Sequence, residues 1–124
     1  YHGNVYAYPF GKKPKNEGIQ KIIRENYKCS RYIKTGFFTK GSDLNYIPVI
    51  YIENIKEKDI IKSIKNNYAI ITLGHGIEPN GGYNPVQKKV FTSHLETLKK
   101  YKNDIWFTNL YDLIKYLKDT KQIK

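Results

Sequence analysis

The sequence predicts an α/β fold with parallel strands, and three observations support this prediction. Strand-like and helix-like segments alternate along most of the 124 residues, as they do in parallel α/β proteins. The segment YAIITLG (68–74) is apolar without alternation, as expected of a strand that is buried on both faces of a parallel sheet. The chain shows no internal repeat and no linker, so one domain over residues 1–124 is predicted.

The first elements are a strand, a capped helix and a second strand. Val5–Tyr8 has a short strand pattern that ends at Pro9. Asn16 can cap a helix that runs to about Asn26. The inward face of this helix is predicted to carry Ile19, Ile22 and Ile23. The segment YKCSRYI (27–33) has the pattern of a second strand, and a loop-like segment follows it.

The middle of the chain predicts an extended segment, a helix and the apolar strand. IPVIYIENI (47–55) begins extended, but Pro48 cannot donate to a strand ladder and makes an interior sheet position unfavourable. A helix over 56–66 is predicted to turn Ile60, Ile61 and Ile64 inward. The strand predicted at 69–73 is expected to be the most buried one, flanked by parallel strands at 5–8 and 105–108.

Two more helices and a strand complete the prediction. Pro85 suits the first turn of a helix. The inward stripe of that helix is predicted to contain Val86, Val90, Phe91, His94, Leu95 and Leu98. DIWFT (104–108) is predicted to be a strand. Asn109 can cap the last helix, which carries Asp112 and Asp119 towards solvent. Its inward positions are Leu110, Leu113, Ile114 and Leu117.

The charge and the cysteine count exclude little. The formal net charge of +11 favours anionic partners, but the lysines are dispersed, and their abundance together with Asn, Ile and Tyr is typical of an A/T-rich genome. Cys29 is the only cysteine, so no intramolecular disulfide can form. The sequence contains no signal-peptide pattern and no apolar run long enough for a membrane helix. The opening YHGNVYAYPFG resembles the lead-in to a strand, so we expect a longer protein.

His75 is the main candidate for chemistry. It directly follows the strand predicted at 69–73, and parallel α/β folds carry their active sites at the carboxyl ends of the strands. Gly74 and Gly76 are expected to leave room beside the imidazole. Histidine can donate or accept a proton near neutral pH. The alternative is a histidine whose ring is satisfied by local backbone groups, and its position alone does not decide between the two.

Three segments together resemble the polysaccharide deacetylases of carbohydrate esterase family 4, the NodB-homology domain. They are AYPFG (7–11), ITLGH (71–75) and the tail that runs from GGYNPVQKKV to LIKYL (81–117). In that family a Leu-x-Leu-x-His segment ends a late strand, and here it is Ile71-x-Leu73-x-His75. The resemblance covers nearly all of this chain but only the second half of the family domain. It therefore implies the second half of an irregular (β/α) barrel of the glycoside hydrolase and deacetylase type.

The resemblance also implies a reaction, the hydrolysis of an acetamide or an acetyl ester on a glycan. His75 would be the general acid that protonates the leaving amine, and Ile71 and Leu73 would wall the pocket for the acetyl methyl. The backbone N–H of Phe10 would donate to the oxyanion of the tetrahedral intermediate. Many members carry an arginine three residues before this aromatic, where the chain has Ala7. The orientation of the catalytic base is therefore unfilled or supplied elsewhere.

Two aromatic residues are further candidates for contact with the substrate. Tyr83 lies in the loop after His75 and can form a pocket rim, although an ordinary turn residue is the alternative. Trp106 lies in the segment that resembles the last strand of the family, and core packing is favoured over substrate contact for its ring. His94 is predicted to be a core histidine, and His2 carries no prediction.

The resemblance implies a divalent metal, zinc or a similar ion, for the complete domain. An aspartate and two histidines hold it in the family and a second aspartate is the base, but all of them belong to the first half of that domain. We therefore expect no metal to bind this chain, and we expect the chain alone to be inactive. The resemblance further implies an extracellular or cell-envelope location.

Two other functions remain open. The first is a homologue that binds glycan through its aromatic residues and has lost the chemistry, which Ala7 slightly favours. The second is a basic nucleic-acid-binding domain, against which the dispersed lysines argue.

Overall fold

The structure is a computed structural model that describes residues 3–80 and 82–123. The described residues form strands and α-helices in this order: β1 (Gly3–Ala7), α1 (Glu17–Asn26), β2 (Tyr27–Thr35), β3 (Ile47–Tyr51), α2 (Glu57–Asn66), β4 (Thr72–Leu73), α3 (Lys88–Lys100) and α4 (Leu110–Asp119). Single 3-10 turns lie at Pro9–Gly11 and Ile52–Asn54. None of the helices in these ranges has the length and apolar character needed to cross a membrane.

The four strands form one sheet in the order β1-β2-β3-β4, and every neighbouring pair is parallel. The predicted α/β class with parallel strands is therefore confirmed, and a sheet of this kind is consistent with part of a barrel. β3 is the most buried strand, since Ile47 and Val49 are 0% exposed and Ile50 is 6% exposed. The carboxyl ends of the strands share one edge of the sheet because the strands are parallel.

The prediction for 69–73 is wrong in extent and in place. Only Thr72–Leu73 is a strand, and it pairs with β3 alone, so it lies at the edge of the sheet. Ala69 instead forms an isolated antiparallel bridge with Phe38. The segment 105–108 forms no strand, and the strand predicted at 5–8 is β1, which lies at the opposite edge of the sheet from β4, so neither of them flanks β4. An apolar run predicts burial, whereas a central position depends on pairing partners on both sides.

Pro48 lies in an interior strand, contrary to the prediction. β3 has β2 on one side and β4 on the other, and Pro48 is its second residue. The ladder to β2 pairs Arg31 with Ile47 and Thr35 with Val49, so the register shifts opposite the proline. The missing N–H of Pro48 therefore falls at an irregularity, which is a position where sheets tolerate proline.

Helix α1 begins at the predicted cap but buries a different face. The Asn16 side chain accepts hydrogen bonds from the N–H groups of the first turn, as predicted. Ile23 is 5% exposed, but Ile19 is 47% and Ile22 is 60% exposed, so the predicted inward face is wrong for these two residues. Gln20 is buried in their place.

The buried amide of Gln20 is satisfied by two hydrogen bonds. Its Nε2 donates to the Pro14 carbonyl at 2.8 Å, and its Oε1 accepts from the Tyr46 hydroxyl at 2.9 Å. A buried polar side chain is stable when its hydrogen bonds are made, so Gln20 can replace an apolar residue at this position.

Helix α4 packs on one face of the sheet as its pattern predicts. Ile114 is 1% exposed and forms a core cluster with Cys29, Phe38 and Ile47. The other predicted inward residues are partly buried around this cluster: Leu110, Leu113 and Leu117. The predicted cap is confirmed, because the Asn109 side chain accepts from the Asp112 N–H at 2.9 Å. Asp112 and Asp119 are exposed, as expected.

A second cluster covers the opposite face of the sheet. It contains Ile50, Ile55 and Ile60, with Leu98 of α3 packed against it. Side chains alternate along a strand, so Ile47 and Ile50 of β3 point to opposite faces. Helices α2 and α3 therefore lie on one face and α4 on the other.

Helix α3 departs from its prediction at two points. It begins at Lys88, so Pro85 precedes the helix instead of occupying its first turn. Leu95 was predicted to point inward but is 48% exposed, while Val86, which lies before the helix, is 4% exposed. Val86 is held there by the loop that connects β4 to α3.

Candidate functional site

His75 lies in the loop directly after β4, at the carboxyl edge of the sheet, and its side chain is exposed. Its ring lies between two tyrosines. The ring centroid is 6.0 Å from that of Tyr51 and 5.7 Å from that of Tyr83, with interplanar angles of 37° and 84°. We call Tyr51, His75 and Tyr83 the histidine cluster. The sequence did not point to Tyr51, because it ends a different strand and only the pairing of β3 with β4 brings it to His75.

The loop that carries Tyr83 is anchored at its base. Ile77 and Val86 form an isolated parallel bridge, in which the Val86 N–H donates to the Gly76 carbonyl at 2.9 Å and the Glu78 N–H donates to the Val86 carbonyl at 3.0 Å. Gly76 has a φ of 128°, which a residue with a side chain rarely adopts. Tyr83 remains 83% exposed, so the loop presents its ring to solvent beside His75.

The absence of a side chain at Gly74 allows Ile52 and Val86 to pack closely against it and does not open space for a ligand. A Cβ added there would lie 3.1 Å from Cδ1 of Ile52 and 3.6 Å from Cγ2 of Val86. The expected room beside the imidazole is therefore taken up on this side by the close approach of Ile52. The histidine cluster is open on the side that faces solvent.

The second candidate group is the turn after β1. Gly11 N–H donates to the Tyr8 carbonyl at 2.8 Å, and Phe10 has a φ of 53°, as in a type II turn that has a side chain where glycine is usual. The Phe10 side chain is 93% exposed. Among the described residues, no hydrogen bond uses the Phe10 N–H as donor. This N–H is free to donate to a ligand, as the oxyanion role requires.

Backbone strain at Phe10 is held in place by its neighbours. A side chain at positive φ costs about 1 kcal/mol or more and persists only where the surroundings enforce it. Gly11 is packed so closely that an added Cβ would lie 2.5 Å from Cβ of Ile33. Tyr8 is 3% exposed, and burial raises the pKa of its phenol. The turn therefore sits on a well-packed base.

Phe10 and His75 share the carboxyl edge of the sheet but belong to its two outermost strands. Three strand spacings separate β1 from β4, which is roughly 14 Å along a flat sheet. A groove of about 1040 Å³ lies beside the sheet, and neither Phe10 nor His75 lines it. The described residues therefore place the two groups on one edge without bringing them into one pocket.

The other substrate-contact candidates are divided between the groove and the edge. Ile71 lines the 1040 Å³ groove, and Trp106 lines it as well. Leu73 pairs with Tyr51 in the ladder and is half-buried near the histidine cluster. Ile71 and Leu73 are thus not brought together into one wall.

The core-packing prediction for Trp106 is wrong. Its side chain is 55% exposed and meets the Tyr116 ring edge to face, with centroids 5.2 Å apart. The neighbouring Phe107 is 57% exposed. Because 104–108 pairs with no strand among the described residues, both rings stay more than half exposed.

His94 lies in a groove of about 440 Å³ between α3 and the start of α2. Burial lowers the pKa of its imidazole. The charged side chains that line the same groove are Glu53, Lys56, Glu57 and Lys89. The prediction of a core histidine is therefore correct in part. The ring is partly buried, and burial favours its neutral form.

The lowered pKa of His94 predicts a pH dependence of stability. Protonation is harder in the folded state than in the unfolded state, so folding is most stable above the unfolded pKa and loses stability as the pH falls through it. Urea unfolding between about pH 8 and pH 5 should show this loss, and His94→Leu should reduce the slope. An equal slope in the variant and the wild type would contradict the assignment.

The metal that the resemblance implies does not fit the described residues. They contain no group of three or more His, Cys, Asp or Glu side chains that could hold an ion. His75 and His94 lie on different elements, and His2 is outside the described residues. Cys29 is buried, and burial raises the pKa of its thiol to about 11, which disfavours the thiolate that binds metals.

The fold defines the chain as an α/β protein with a parallel sheet and candidate groups at its carboxyl edge. Comparison with family models, with curated proteins and with solved structures gave no significant match.

Proposed function

We propose that this chain is the carboxyl-terminal part of a polysaccharide deacetylase domain and that His75 is its general acid. The observation that carries this proposal is the place of His75, exposed at the carboxyl end of a parallel strand and between two tyrosine rings. Parallel α/β folds use this edge for catalysis. The resemblance of AYPFG and ITLGH to the family motifs supplies the reaction class.

The proposed reaction is the hydrolysis of an acetamide or an acetyl ester on a glycan. Water adds to the carbonyl carbon, the Phe10 N–H donates a hydrogen bond to the oxyanion, and the bond to the amine breaks. A base outside the described residues takes one proton from the water, and the imidazolium of His75 gives its proton to the departing nitrogen. A neutral amine and acetic acid leave, and the acid then loses its proton to solvent. Activation of the water belongs to groups outside the described residues.

Both residues can act on one acetyl group only if the sheet curves. A flat sheet leaves β1 and β4 roughly 14 Å apart, whereas closure into a barrel turns the carboxyl ends of all strands towards a common axis. The edge position of β1 and β4 is compatible with such closure, since each strand has a free side for a further neighbour. The partner of this chain in that arrangement is the amino-terminal half of the same domain.

A second candidate function is glycan binding without catalysis. Phe10 and Tyr83 are 93% and 83% exposed, and aromatic rings of this kind pack against the apolar face of a sugar. Ala7 stands where many family members carry the arginine that orients the base. This candidate predicts binding of N-acetylated oligosaccharides with no release of acetate.

Acetate release decides between the two candidates. The coding sequence upstream of Tyr1 is expected to contain a strand that ends in two aspartates, followed by a His-x-x-x-His segment. We expect the protein that includes this segment to release acetate from acetylated chitooligosaccharides, and we expect the 124-residue chain to release none. Binding without release by the longer protein would support the second candidate. Turnover and stoichiometric zinc in the chain alone would refute the half-domain assignment.

A further inference from the structure

We propose that the turn after β1 binds an anionic glycan, with Phe10 under a sugar ring and Lys12 and Lys13 beside its acidic groups. This inference rests on the proposed function for the class of ligand, and it adds the charge of that ligand and the residues that hold it. The exposed ring, the fixed turn and the local charge each contribute to the argument.

The Phe10 ring is exposed to solvent on a turn whose backbone conformation is fixed. Its side chain is 93% exposed, and its backbone is held at positive φ by the hydrogen bond from Gly11 to Tyr8. An aromatic ring on a rigid support loses little conformational entropy when a ligand packs on it. Strained backbone positions cluster at sites that bind ligands, which makes the exposed Phe10 ring a candidate ligand contact.

The positive charge at the turn is not neutralised by nearby carboxylates. Lys12 follows the turn directly, and its N–H donates to the Pro9 carbonyl at 3.2 Å. The Nζ of Lys13 lies 4.4 Å from the centroid of the Tyr46 ring. Among the described residues, the ion pairs are Lys21–Glu25, Lys100–Glu57 and Lys115–Asp119. The cations at 12 and 13 are therefore available to attract a negatively charged ligand.

The aromatic geometry favours a glycan over a nucleic acid. Proteins that bind single strands stack successive bases on a series of exposed rings. Here the neighbouring rings are unsuitable, since Tyr8 is 3% exposed and Tyr46 is stacked on it with centroids 6.0 Å apart and an interplanar angle of 11°. One free ring flanked by lysines matches one sugar face and the carboxylate of an adjoining acidic sugar.

Calorimetric titration of the purified 124-residue chain tests the proposal. The probes are a hyaluronan hexasaccharide, which carries carboxylates, and the neutral chitohexaose. At low ionic strength we expect hyaluronan to bind about tenfold more tightly than chitohexaose, and this preference should shrink as salt is added. Equal affinity for the two probes would overturn the proposal.

Matched variants locate the site. The double substitution Lys12→Gln and Lys13→Gln should remove most of the preference for hyaluronan, and Phe10→Ala should weaken the binding of both probes. The control replaces Lys99 and Lys102, two exposed lysines at the end of α3, by glutamine and should leave binding unchanged. If the control lost the preference for hyaluronan to the same extent, the preference would come from the overall charge of the protein, and the proposed site at the turn would be wrong.

Two further outcomes separate this proposal from nucleic-acid binding and from the deacetylase assignment. Tighter binding of a single-stranded oligonucleotide than of hyaluronan, at the same salt concentration, would overturn it in favour of nucleic acid. Hyaluronan binding that depends on Lys12 and Lys13 would support it even if the longer protein released no acetate, in which case only the deacetylase assignment fails.

Discussion

We expect His75→Gln to lower the rate of acetate release by about 10²–10⁴-fold in the protein that includes the upstream segment. Glutamine keeps a hydrogen-bonding side chain of similar length at the carboxyl end of β4, but it cannot deliver a proton to the leaving amine. The loss should appear in kcat with little change in KM, because the substitution removes an interaction of the transition state and leaves ground-state binding intact.

The control for this experiment is His94→Gln, measured above neutral pH. His94 lies between α3 and α2, in a groove that does not contain His75. The control should retain the wild-type rate, and the alkaline limb of the pH–rate profile, on which a general acid loses its proton, should change only in the His75 variant. A His75→Gln protein that keeps its kcat within about twofold would remove His75 from the general-acid role.

The second large effect is expected at Ile114. Replacing it by alanine should lower the free energy of unfolding by about 2–5 kcal/mol, because the side chain is 1% exposed and the lost atoms leave a cavity in the core cluster. Urea unfolding followed by circular dichroism measures this difference. The expectation tests the docking of α4 on the sheet, which is the contact that buries Cys29 and Ile47.

Leu95→Ala is the control variant for Ile114→Ala in the unfolding experiment. Leu95 is also a branched aliphatic residue on a helix, but it is 48% exposed, so its truncation should cost no more than about 1 kcal/mol. Equal losses at the two positions would mean that α4 does not pack on the sheet as described.

The sequence predicted those elements whose signals are local. Asn16 and Asn109 cap the helices that follow them, and the apolar spacing of α4 correctly identified its buried residues. Caps and helical periodicity depend on residues that are three or four positions apart, so they can be recognised without knowledge of the rest of the fold.

Most of the failures involve contacts between distant parts of the chain, although Pro85, a local signal, also fails because α3 begins at Lys88. Among residues 3–80 and 82–123, the far side of segment 69–73 has no partner strand, so only two of its residues form a strand, and 104–108 likewise pairs with no strand. Pro48 fits inside the sheet only because the register of β2 shifts opposite it. Ile19 and Ile22 stay exposed because Gln20 takes the buried position through bonds to Pro14 and Tyr46.

The candidate site was predictable only in part. The place of His75 after a strand could be inferred from the sequence, and so could the turn at Phe10. Tyr51 could not be assigned to His75, since the contact depends on which strand lies beside β4. The solvent exposure of Trp106 was also unpredictable, because a tryptophan in a strand-like segment is usually buried against a partner.

The brevity of β4 has a consequence for the motions of the site. β4 is two residues long and pairs only with β3, whereas β1 and β3 are five residues long and β2 is nine. Amide protons in a short ladder exchange with solvent through local openings that cost far less free energy than global unfolding. The backbone that carries His75 can therefore detach and re-form its pairing while β1–β3 stay intact. The proposed proton donor, His75, thus follows the strand that opens most readily, and the proposed oxyanion donor, Phe10, follows a longer strand of the sheet.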